Sequence, residues 1–588
     1  MINIKENEKL SVLNHSCSHL MMQAIKNLYP VAMNWVGPVI EDGFYQDIDL
    51  GNDVIKEEDF EKIEREMKKL SKDGKRLIKK QISHDEALEI FKNNPYKIDL
   101  LNEMVKDEIV SVYSQGDFDV LCRGPHVESL KEIKYFKLLK ASGAYYKADI
   151  KNKMLQRVYG ICFESEEDLN EYLNILEEAK KRDHRKLGRE LDLFCFSDLV
   201  GPGLPLYTPR GTIIKEELQK EIERVCRNYG FEKVFNPHLA NIKLFETSGH
   251  AQKFSEELFH VTSEKGHEMV LKPVLCPMHT QIYASKMRSY RDLPIRYMES
   301  EKQYRAELPG AVSGFSRVYA ITVEDGHSFC RVDQVKQEVI TMVNIIKDFY
   351  TSLGLYGNKW ISLSVRDYAH PEKYIGDSKD WDICEAMLED ISNELGLDAK
   401  RCEGEAALYG PKLDFMFKDA LGREIQIPTV QLDFATPKRF ELVYTDKDGS
   451  KVNPVMVHRA VLGSYERFMM LLIENYAGAF PLWLSPVQVN IVPVSNEHQL
   501  DYCNNLKGLL IGENIRAEAD YSEEKFNYKI RQSSLMKNPY TLIIGDKERD
   551  NTEISYRVFG SNDTVTMSVS DFVNKVKQEI NDKVVSIK

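Results

Sequence analysis

The stretch PIRYMESEKQYRAE (residues 294–307) is separated from RVYAITVED (317–325) by a short loop that contains GAVSG (310–314). Both flanking segments are rich in strand-forming residues, and a Gly/Ser loop between such segments is typical of a hairpin connection. The pattern therefore predicts two antiparallel strands. Arg305 and Glu307 are two positions apart, so on a strand both side chains would lie on one face.

Two further arginines extend this pattern. Arg317 lies across the loop, and Arg467 stands in a later predicted helix. Arginine binds phosphate through two parallel hydrogen bonds and keeps its charge, which suits a site where the α-phosphate of a nucleotide is attacked. Surface ion pairs are the commoner role of such arginines, and composition alone favours that alternative.

Helices and turns can be placed on both sides of the hairpin. Apolar residues at helical spacing predict helices over 10–29, 56–80, 165–190, 212–229, 333–353 and 458–477. Residues 39–48 (VIEDGFYQDI) predict a hairpin whose turn is Asp42-Gly43. The segment GPGLPLYTPRG (201–211) is dense in Gly and Pro and marks a domain boundary. The last hundred residues alternate strand and helix, which predicts a small α/β domain with a largely parallel sheet.

The composition indicates several folded domains. The 588 residues allow about three or four domains of ordinary size, and 43% hydrophobic residues exclude wholesale disorder. A net charge of −13 excludes a polycation that coats nucleic acid, but it leaves a local basic face open. Ten cysteines without a CxxC pair indicate a reducing compartment. No secretory segment and no run of ~20 apolar residues is present, so we expect a soluble, cytoplasmic protein without a membrane contact.

Several long segments carry a family resemblance. YRAE (304–307) with FSRVYAITVEDGHSFC (315–330) resembles the second signature motif of class II aminoacyl-tRNA synthetases. VLGSYERFMMLLIENYAG (461–478) resembles the third, and the helix from about 212 with EKVFNPHL (232–239) resembles the first. The segments similar to threonyl-tRNA synthetases in particular are LKPVLCPMH (271–279), EGEAALYGPKLDF (403–415), TVQLDF (429–434) and VMVHRAVLGS (455–464).

The resemblance covers about residues 10–588 and implies a multidomain α+β protein. It implies an N-terminal α+β editing domain (1–164), a connecting helix (165–190), a class II catalytic domain built on an antiparallel sheet with helices (191–482) and a C-terminal α/β anticodon-binding domain (483–588). The ubiquitin-like domain that often precedes the editing domain is expected to be absent. The implied activity is ATP-dependent activation of L-threonine, transfer to tRNA(Thr) and hydrolysis of mischarged seryl-tRNA(Thr), in a homodimer joined through the 212–240 region.

The same resemblance implies a nucleotide site. Arg305 would hold the α-phosphate of ATP and the carboxylate of the adenylate, and Glu307 would contact adenine. Arg317 and Arg467 would bind the outer phosphates together with Mg²⁺. The residues implied to line the nucleotide and amino-acid pocket are Lys412, Gln426 and Gln431. Positioning and charge stabilisation can supply most of the acceleration of such a displacement, so no general base is required.

A zinc ion is also implied, because Cys276, His327 and His458 occupy the zinc-ligand positions of the family. Their spacing alone says nothing, since scattered Cys and His residues are usually unrelated. Three protein ligands with an open fourth position are the arrangement of a working zinc. A zinc that accepts both the amino group and the hydroxyl of threonine would leave valine one ligand short, and sites that demand a hydroxyl reject such analogues by roughly 10⁴–10⁵. Asp325 and Tyr409 would assist.

Compared with threonine, serine keeps the hydroxyl and lacks one methyl group. The loss of one methyl group changes the binding free energy by only about 1–3 kcal/mol, which is too little to exclude serine. A separate editing site is therefore expected in the first third of the chain, where two histidines one helical turn apart and CRGPH (122–126) stand in family-like contexts. The HxxxH and CxxxH pattern also fits a metal site, and the resemblance favours metal-free hydrolysis by an oriented water. The candidate editing residues are His15, His19, Tyr45, Lys97, Cys122 and His126.

The terminal segment SEEKFNYKIRQSSLMKNPYTLIIGDKE (522–548) resembles an anticodon-binding domain, and the candidate anticodon contacts are Lys525, Lys529, Arg531 and Arg557. The chain departs from the family at three positions. Val323 and Glu324 stand where the family usually has glutamine and aspartate. Val120 stands in place of an aspartate; Asp119 is beside it, and a strand would turn that carboxylate to the other face.

Two alternatives to the ligase remain open from the sequence. One is a catalytically silent paralogue that binds RNA as a regulator. Arg305, Arg467 and the three zinc candidates argue against it, because a binding protein needs none of them. The other is a synthetase with altered amino-acid choice, which Val323 motivates.

Overall fold

The computed structural model describes residues 3–105, 109–149, 151–308, 310–357, 359–419 and 422–585. The chain divides into two compact units, Met1–Glu178 and Ala179–Lys588. The division falls inside the segment predicted to connect two domains, and the units are described in turn.

The first unit mixes helices with two sheets. Its helices are α1 (Glu8–Leu28), α2 (Phe60–Asp73), α3 (His84–Ile90), α4 (Pro95–Asn102) and the first part of α5 (Glu166–Arg182). Its strands are β1 (Met33–Asn34), β2 (Val39–Ile40), β3 (Gly43–Asp49), β4 (Leu77–Ile82), β5 (Val110–Gln115), β6 (Phe118–Leu121), β7 (Tyr135–Tyr145) and β8 (Met154–Phe163). One sheet has the order β1–β3–β8–β7 with β2 beside β3, and the other has the order β4–β5–β6.

Helix α1 is the predicted helix, and it packs against the larger sheet. Asn7 caps it by accepting a hydrogen bond from the Leu10 backbone. Its apolar residues join those of β3 and β8 in one core. Asn14 ties the helix to the sheet, because its side chain donates to the Cys162 carbonyl at 2.8 Å and accepts from the Cys162 N–H at 2.9 Å. The predicted hairpin over 39–48 is confirmed as β2 and β3.

The single helix predicted over 56–80 is wrong in its second half. Helix α2 ends at Asp73, and Gly74 follows in the left-handed region with φ 63. Glycine enters that region without the steric penalty of a Cβ atom, so it ends the helix. Residues Leu77–Ile82 then form strand β4.

The second unit holds the remaining elements. Its helices are α6 (His184–Glu190), α7 (Pro209–Asn228), α8 (Ile242–Ser248), α9 (His250–Lys253), α10 (Cys276–Ala284), α11 (Val335–Ser352), α12 (Ser378–Glu394), α13 (Ala435–Arg439), α14 (Tyr465–Asn475), α15 (Asn496–Gly512), α16 (Phe526–Leu535), α17 (Asp546–Asn551) and α18 (Val569–Asn581). Its strands are β9 (Phe194–Cys195), β10 (Leu206–Tyr207), β11 (Glu232–Lys233), β12 (Leu239–Ala240), β13 (His260–Thr262), β14 (Glu268–Leu271), β15 (Ile295–Tyr304), β16 (Ala320–Cys330), β17 (Lys359–Val365), β18 (Lys400–Glu403), β19 (Lys412–Lys418), β20 (Glu424–Asp433), β21 (Tyr444–Thr445), β22 (Lys451–Val452), β23 (Val455–Ser464), β24 (Val489–Pro493), β25 (Ala517–Ala519), β26 (Tyr540–Ile544), β27 (Glu553–Val558) and β28 (Val565–Ser568).

The largest sheet has the order β11–β15–β16–β23–β20–β19–β17–β18. The predicted hairpin lies inside it: β15 and β16 pair antiparallel from Ile295 opposite Phe329 to Tyr304 opposite Ala320. The inner neighbours are antiparallel, and the outermost pairs, β11–β15 and β17–β18, are parallel. Apolar residues of α7, α11 and α14 pack with those of the sheet in one continuous core. The prediction of an antiparallel sheet with helices packed against it is therefore confirmed.

Two predicted helices of this unit have different bounds. The segment predicted as a helix over 458–477 begins as strand β23, and α14 starts at Tyr465 because the Ser464 hydroxyl caps it by accepting from the Arg467 N–H. His458 consequently lies on a strand. The connecting helix predicted over 165–190 is two helices, α5 and α6. The Asp183 carboxylate accepts from the backbone N–H groups of Arg185 and Lys186, so a new helix begins there.

The C-terminal sheet has the order β25–β24–β26–β27–β28. Its first three strands are parallel, as predicted, but β27 and β28 are antiparallel to their neighbours. The expectation of a largely parallel sheet is therefore correct only for half of it. The physical reason is the link between β26 and β27, which is shorter than the dozen or so residues that a parallel crossover needs.

Among the described residues, no helix is long and apolar enough to cross a membrane.

Replacement of Asn14 tests whether its hydrogen bonds to the backbone of Cys162 stabilise the packing of α1 on the sheet. The variant Asn14→Ala leaves the buried N–H and C=O of Cys162 without partners, so the free energy of unfolding of the first unit should fall by about 1–3 kcal/mol per group. Urea unfolding followed by tryptophan fluorescence and circular dichroism measures this. Asn27→Ala is the matched control, because Asn27 donates to Glu66 on the surface, and it should change stability by less than about 0.5 kcal/mol. Equal losses in the two variants would contradict the role of Asn14.

Candidate functional sites

The large sheet brings Cys276, His327 and His458 together. Cys276 opens helix α10, and His327 on β16 stands directly opposite His458 on β23. The sulfur and ring-nitrogen atoms that these three residues offer lie within 4.8 Å of one another, and all three residues are buried. Facing positions on adjacent strands share one side of a sheet, which explains how residues so distant in the chain form one cluster.

Hydrogen bonds behind His327 fix which of its nitrogens faces the cluster. His279 Nε2 lies 3.2 Å from Glu299 Oε2, and His279 Nδ1 lies 2.7 Å from His327 Nδ1. Burial lowers the pKa of both imidazoles, which favours their neutral forms. Because a carboxylate only accepts, His279 donates from Nε2 and accepts at Nδ1, so His327 donates from Nδ1. The lone pair of His327 Nε2 is left over, and this buried atom has no hydrogen-bond partner in the described part of the chain.

His458 is oriented in the same way. Its Nε2 lies 2.9 Å from Asp433 Oδ2, so Nδ1 remains to face the cluster. A carboxylate behind an imidazole is the usual support of a metal-binding histidine. One thiol and two imidazoles, one of them with an unpartnered buried nitrogen, form a donor set that suits zinc. The residues present therefore fit such an ion.

The supporting residues were missed by the sequence analysis. Asp433 lies within TVQLDF and His279 within LKPVLCPMH, so both stood in segments already singled out. Glu299 lies two positions before Glu301 on β15, in a strand where acidic residues abound, and nothing in the sequence distinguished it. A buried imidazole needs a partner for its second nitrogen, and that rule could have directed attention to the nearby acidic residues.

A cavity of about 200 Å³ adjoins the cluster. Its wall includes Cys276, His458, Asp325, Tyr409, Gln431 and Arg305. Tyr409 stacks on the His458 ring with centroids 4.5 Å apart and donates from its hydroxyl to Gln431 Oε1 at 2.6 Å. Partial burial and the neighbouring Glu324 carboxylate raise the pKa of Asp325 to about 7. The cavity wall thus holds two of the three predicted metal ligands, both predicted threonine contacts and Arg305, and the third ligand, His327, is buried in the adjoining cluster.

His250 also lines this cavity and was not predicted. Burial lowers the pKa of His250 to about 4. Its Nδ1 lies 2.9 Å from the Ser248 hydroxyl. His250 is therefore a neutral imidazole that can offer a hydrogen bond to a bound molecule.

The other predicted nucleotide residues lie outside the described cavity wall. Arg317 Nε lies 3.7 Å from Glu307 Oε2, so these two form an ion pair. Desolvation and the positive charge of Arg317 lower the pKa of Arg467, which indicates that the two guanidinium groups are close. Neighbouring arginines repel each other, and an anion between them relieves that repulsion. This arrangement suits phosphate.

Lys412 and Gln426 flank the same face of the sheet. Lys412 Nζ lies 2.8 Å from Asp414 Oδ2, and Lys412 stands opposite Gln431. The pairing of β19 and β20 shifts register between Met416 opposite Gln426 and Asp414 opposite Thr429. This bulge places Gln426 on the same face as Thr429 and Gln431, although the Gln426 side chain is exposed.

The first unit brings four of the predicted editing residues together. His15, His19, Cys122 and His126 offer ligand atoms that all lie within 4.8 Å of one another. Cys122 Sγ lies 3.2 Å from His15 Nε2 and 3.2 Å from His126 Nε2. His19 Nδ1 is buried and has no hydrogen-bond partner in the residues that the structure describes. The cluster therefore joins one face of α1 to the segment after β6.

Charge favours neutral side chains in this cluster. Burial lowers the pKa of His15 and His19 and lowers that of His126 to about 3. Burial also lowers the pKa of Lys97 to about 8. Lys97 Nζ donates to the Trp35 carbonyl at 2.8 Å, and its charge acts on Cys122. Near neutral pH the site contains neutral imidazoles beside one ammonium group.

Tyr45 and Asp119 are placed differently. Tyr45 lies on β3, and its ring centre is 3.9 Å from the Arg157 guanidinium. Asp119 accepts a hydrogen bond from Ser114, directly opposite it on β5. Val120 stands opposite Tyr113, whose ring contacts that of His126. The carboxylate of Asp119 therefore lies on the other face of the strand from Val120, as predicted.

The C-terminal candidates differ in exposure. Lys525 and Arg531 are exposed, and Arg557 donates to the Thr564 hydroxyl at 3.0 Å. Lys529 is only 3% exposed and donates to Asn496 Oδ1 at 3.0 Å and to the Asp520 carbonyl at 3.2 Å. Its ammonium group is used inside the fold, so Lys529 is not retained as a candidate RNA contact.

Three family models match the chain. The tRNA synthetase class II core domain (G, H, P, S and T) matches residues 259–476, and the anticodon binding domain matches residues 488–579. The threonyl and alanyl tRNA synthetase second additional domain matches residues 110–159.

Relatives cover nearly the whole chain. The chain is 45% identical to a threonine–tRNA ligase of Anoxybacillus flavithermus over 576 residues, which are 97% of this chain and 89% of that protein. It is 45% identical to a threonine–tRNA ligase of Staphylococcus carnosus over 575 residues, 97% of this chain and 88% of that one. The solved RNA binding domain of threonyl-tRNA synthetase from Cryptosporidium parvum is 32% identical with a TM-score of 0.64, over 67% of this chain and 98% of that one. The chain belongs to the threonine–tRNA ligase family of class II aminoacyl-tRNA synthetases.

Proposed function

We propose specific roles for the residues around the two sites. The chain is a threonine–tRNA ligase that uses ATP and L-threonine to charge tRNA, and it carries an editing domain. The observation that supports the amino-acid site best is the cavity of about 200 Å³ whose wall Cys276, His458, Asp325 and Tyr409 share. Its size suits a small amino acid rather than a bulky one.

Threonine would be held by this wall. Tyr409 donates a hydrogen bond from its hydroxyl to Gln431, so the lone pairs of the Tyr409 oxygen remain available to accept a hydrogen bond from the substrate. Asp325 would accept from the amino group. Cys276, His327 and His458 would hold a zinc ion, which when bound would supply a Lewis acid that favours a substrate with both an amino and a hydroxyl group. The Tyr409–His458 stack keeps one wall of the pocket rigid.

ATP would bind beside the threonine pocket, with Mg²⁺ on its phosphates. Arg305 reaches the cavity wall and would bind the α-phosphate and the adenylate carboxylate. Arg317 and Arg467 would bind the outer phosphates, and Glu307 would contact adenine. Lys412, Gln426 and Gln431 lie on the same face of the sheet and would complete the pocket. Fixed positive groups that meet charge as it develops are a strong source of acceleration.

Seryl-tRNA would be hydrolysed at the cluster in the first unit. Neutral imidazoles of His15, His19 and His126 can orient a water, and the Lys97 ammonium can stabilise the negative charge that develops on the ester oxygen. Cys122 and Tyr45 would shape the pocket. The unpartnered Nδ1 of His19 favours a bound water or ligand at this point. The alternative is a metal on the same four ligands, and metal analysis separates the two.

We propose the domain bounds 1–164, 165–190, 191–482 and 483–588 for the editing domain, connector, catalytic domain and anticodon-binding domain. Lys525, Arg531 and Arg557 are the proposed anticodon contacts, since basic side chains on one module supply much of RNA affinity. The 212–240 region would join two chains in a homodimer.

ATP–pyrophosphate exchange with a panel of amino acids tests the main proposal. Threonine should support exchange, and valine should support it only weakly. No threonine-dependent exchange by zinc-loaded protein would favour the RNA-binding alternative. A preference for serine would favour altered amino-acid choice.

The metal centre predicts a loss of zinc in one variant. Cys276→Ala removes the thiolate ligand, so zinc content should fall from about one per chain toward zero, and threonine-dependent exchange should be lost with it. Mass spectrometry of metal content measures the first effect. Cys195→Ala is the control, because Cys195 is exposed and away from the cluster. Full activity in a metal-free preparation of the parent would refute the assignment.

The phosphate-binding arginine predicts a defect in activation. Arg467→Ala removes a positive charge that we place on the outer phosphates of ATP, so kcat/KM for exchange should fall by about 10²–10³. Arg210→Ala is the control, since Arg210 pairs with Glu518 on the surface, and it should change exchange by less than twofold. An unchanged ATP dependence in Arg467→Ala would contradict the role.

The editing site predicts a separation of activities. The double variant His15→Ala/His19→Ala should keep threonine activation and lose seryl-tRNA hydrolysis, because the two imidazoles belong only to the first unit's cluster. Deacylation of preformed seryl-tRNA measures this. His84→Gln is the control in the same unit, since it retains a donor for the Leu101 carbonyl. Equal hydrolysis by the double variant and parent would contradict the assignment, and a second stoichiometric metal in the parent would favour the metal alternative.

A further inference from the structure

Glu324 and Arg459 form an enclosed ion pair, and both residues belong to the wall of the amino-acid cavity. Arg459 is 0% exposed and Glu324 is 2% exposed. Arg459 Nη1 donates to Glu324 Oε1 at 2.5 Å, and the guanidinium lies over the Phe231 ring, 4.7 Å from its centre. Removing two charges from water is costly, and an apolar pair of similar size is often at least as stable. Stability alone therefore does not explain this pair.

The pair sits where β16 and β23 change register. The pairing is regular from Cys330 opposite Val455 to Asp325 opposite Ala460, and the next pair is Val323 opposite Ser464. Between these points β23 advances four residues while β16 advances two. Such a bulge leaves backbone groups without their ladder partners. Glu324 Oε2 accepts from one of them, the N–H of Val461, at 3.2 Å.

The guanidinium group of Arg459 packs against the backbone of Gly326. These two residues stand opposite each other in the sheet. A Cβ atom at position 326 would come within 2.7 Å of the guanidinium carbon and nitrogens, so the guanidinium packs directly on this backbone. Gly326 lies between Asp325 and His327. Arg459 therefore presses on the segment that carries a proposed threonine contact and a proposed metal ligand.

Glu324 decides where the guanidinium lies. The Nε and Nη2 atoms of Arg459 are buried and have no acceptor within the described ranges. The hydrogen bond from Nη1 to Glu324 is thus the directed contact that holds the group. The carboxylate has two oxygens, and it joins the guanidinium to the bulged backbone of β23.

Register matters here because side chains alternate along a strand. A slip of one residue between β16 and β23 would turn Asp325 and His327 away from the cavity and would bring Glu324 and Gly326 toward it. The regular ladder between the two strands stops at Asp325, so regular pairing with β23 does not itself place the segment before Asp325. The Glu324–Arg459 ion pair can form only in the observed register, so it disfavours a pairing shifted by one residue.

We propose that Glu324 and Arg459 are positioning residues for amino-acid selection, which lock the register of β16 against β23 so that Asp325 and His327 face the cavity. The inference rests on the proposed roles of Asp325 and His327 in binding threonine. Glu324 and Arg459 belong to the cavity wall, but in this scheme they act through the two strands and not by contact with the amino acid. Discrimination between threonine and valine depends on the lock, whereas ATP binding does not.

The variant Glu324→Gln tests the lock. It keeps the shape of the side chain but loses the charge and the second acceptor that serves Val461. In ATP–pyrophosphate exchange the KM for threonine should rise by about tenfold, and the ratio of kcat/KM for threonine over valine should fall by about as much, with the KM for ATP within about twofold of the parent. Glu324→Asp retains a carboxylate and should recover most of the lost discrimination.

Glu338→Gln is the matched control. Glu338 is 1% exposed and accepts from Arg296 Nε at 2.7 Å and from Arg296 Nη2 at 2.6 Å, but neither residue lines the described cavity. Its loss should lower the thermal midpoint as much as Glu324→Gln does and leave amino-acid selection unchanged. If both variants lose stability and neither changes selection, the pair is structural and the proposal is overturned.

A double variant covers the case in which Glu324→Gln does not fold. Glu324→Leu/Arg459→Met removes both charges together and should fold, because no unpaired charge remains. It should lose threonine–valine discrimination; retained discrimination would overturn the proposal. The parent measured in parallel separates the two hypotheses, since a parent without threonine-dependent exchange would refute the proposed function itself.

Discussion

The antiparallel pairing of β16 with β23 is the contact on which the rest of the catalytic unit depends. It places His327 opposite His458, and it turns both toward the first turn of α10, where Cys276 stands. Backbone hydrogen bonds fix this arrangement to a fraction of an ångström, which no pair of loops could do as well. The cavity wall, the stacked Tyr409 and the position of Arg305 all follow from the same sheet.

Two buried carboxylates orient the imidazole rings of the proposed metal site. Glu299 acts through His279 on His327, and Asp433 acts on His458. Each carboxylate determines which nitrogen of an imidazole carries the proton. The cluster in the first unit differs, because its histidines contact one another and Cys122 rather than carboxylates. Carboxylates behind imidazoles, such as Glu299 and Asp433, are the usual support of metal-binding histidines.

Sequence reasoning recovered what local pattern controls. The hairpin around GAVSG, helix α1 and the parallel start of the C-terminal sheet follow from alternation and helical spacing. The clusters of Cys276, His327 and His458 and of His15, His19, Cys122 and His126 came from family resemblance, and the structure brings each set together. Sequence spacing could not have predicted the first cluster. Cys276 and His327 are 51 positions apart and His327 and His458 are 131 positions apart, so they meet only through the tertiary fold.

The predictions that failed concern residues whose burial or contacts are set by distant parts of the chain. Residues 458–464 of β23 were predicted as the start of a helix over 458–477, because a strand buried on both faces shows no alternation and an apolar run then fits either period. Glu299 was missed because its importance lies in what it touches across the fold. Lys529 was proposed as an RNA contact because its segment resembles an anticodon-binding domain, yet its side chain is only 3% exposed.

The contact between Gly326 and Arg459 also limits which mutations this gene can tolerate. An alanine at position 326 would change none of the residues proposed to bind threonine, ATP or a metal. The added methyl group would nevertheless displace a buried guanidinium from the backbone between Asp325 and His327. If Arg459 has the proposed positioning role, this substitution should reduce the accuracy of amino-acid choice while every proposed binding residue stays intact.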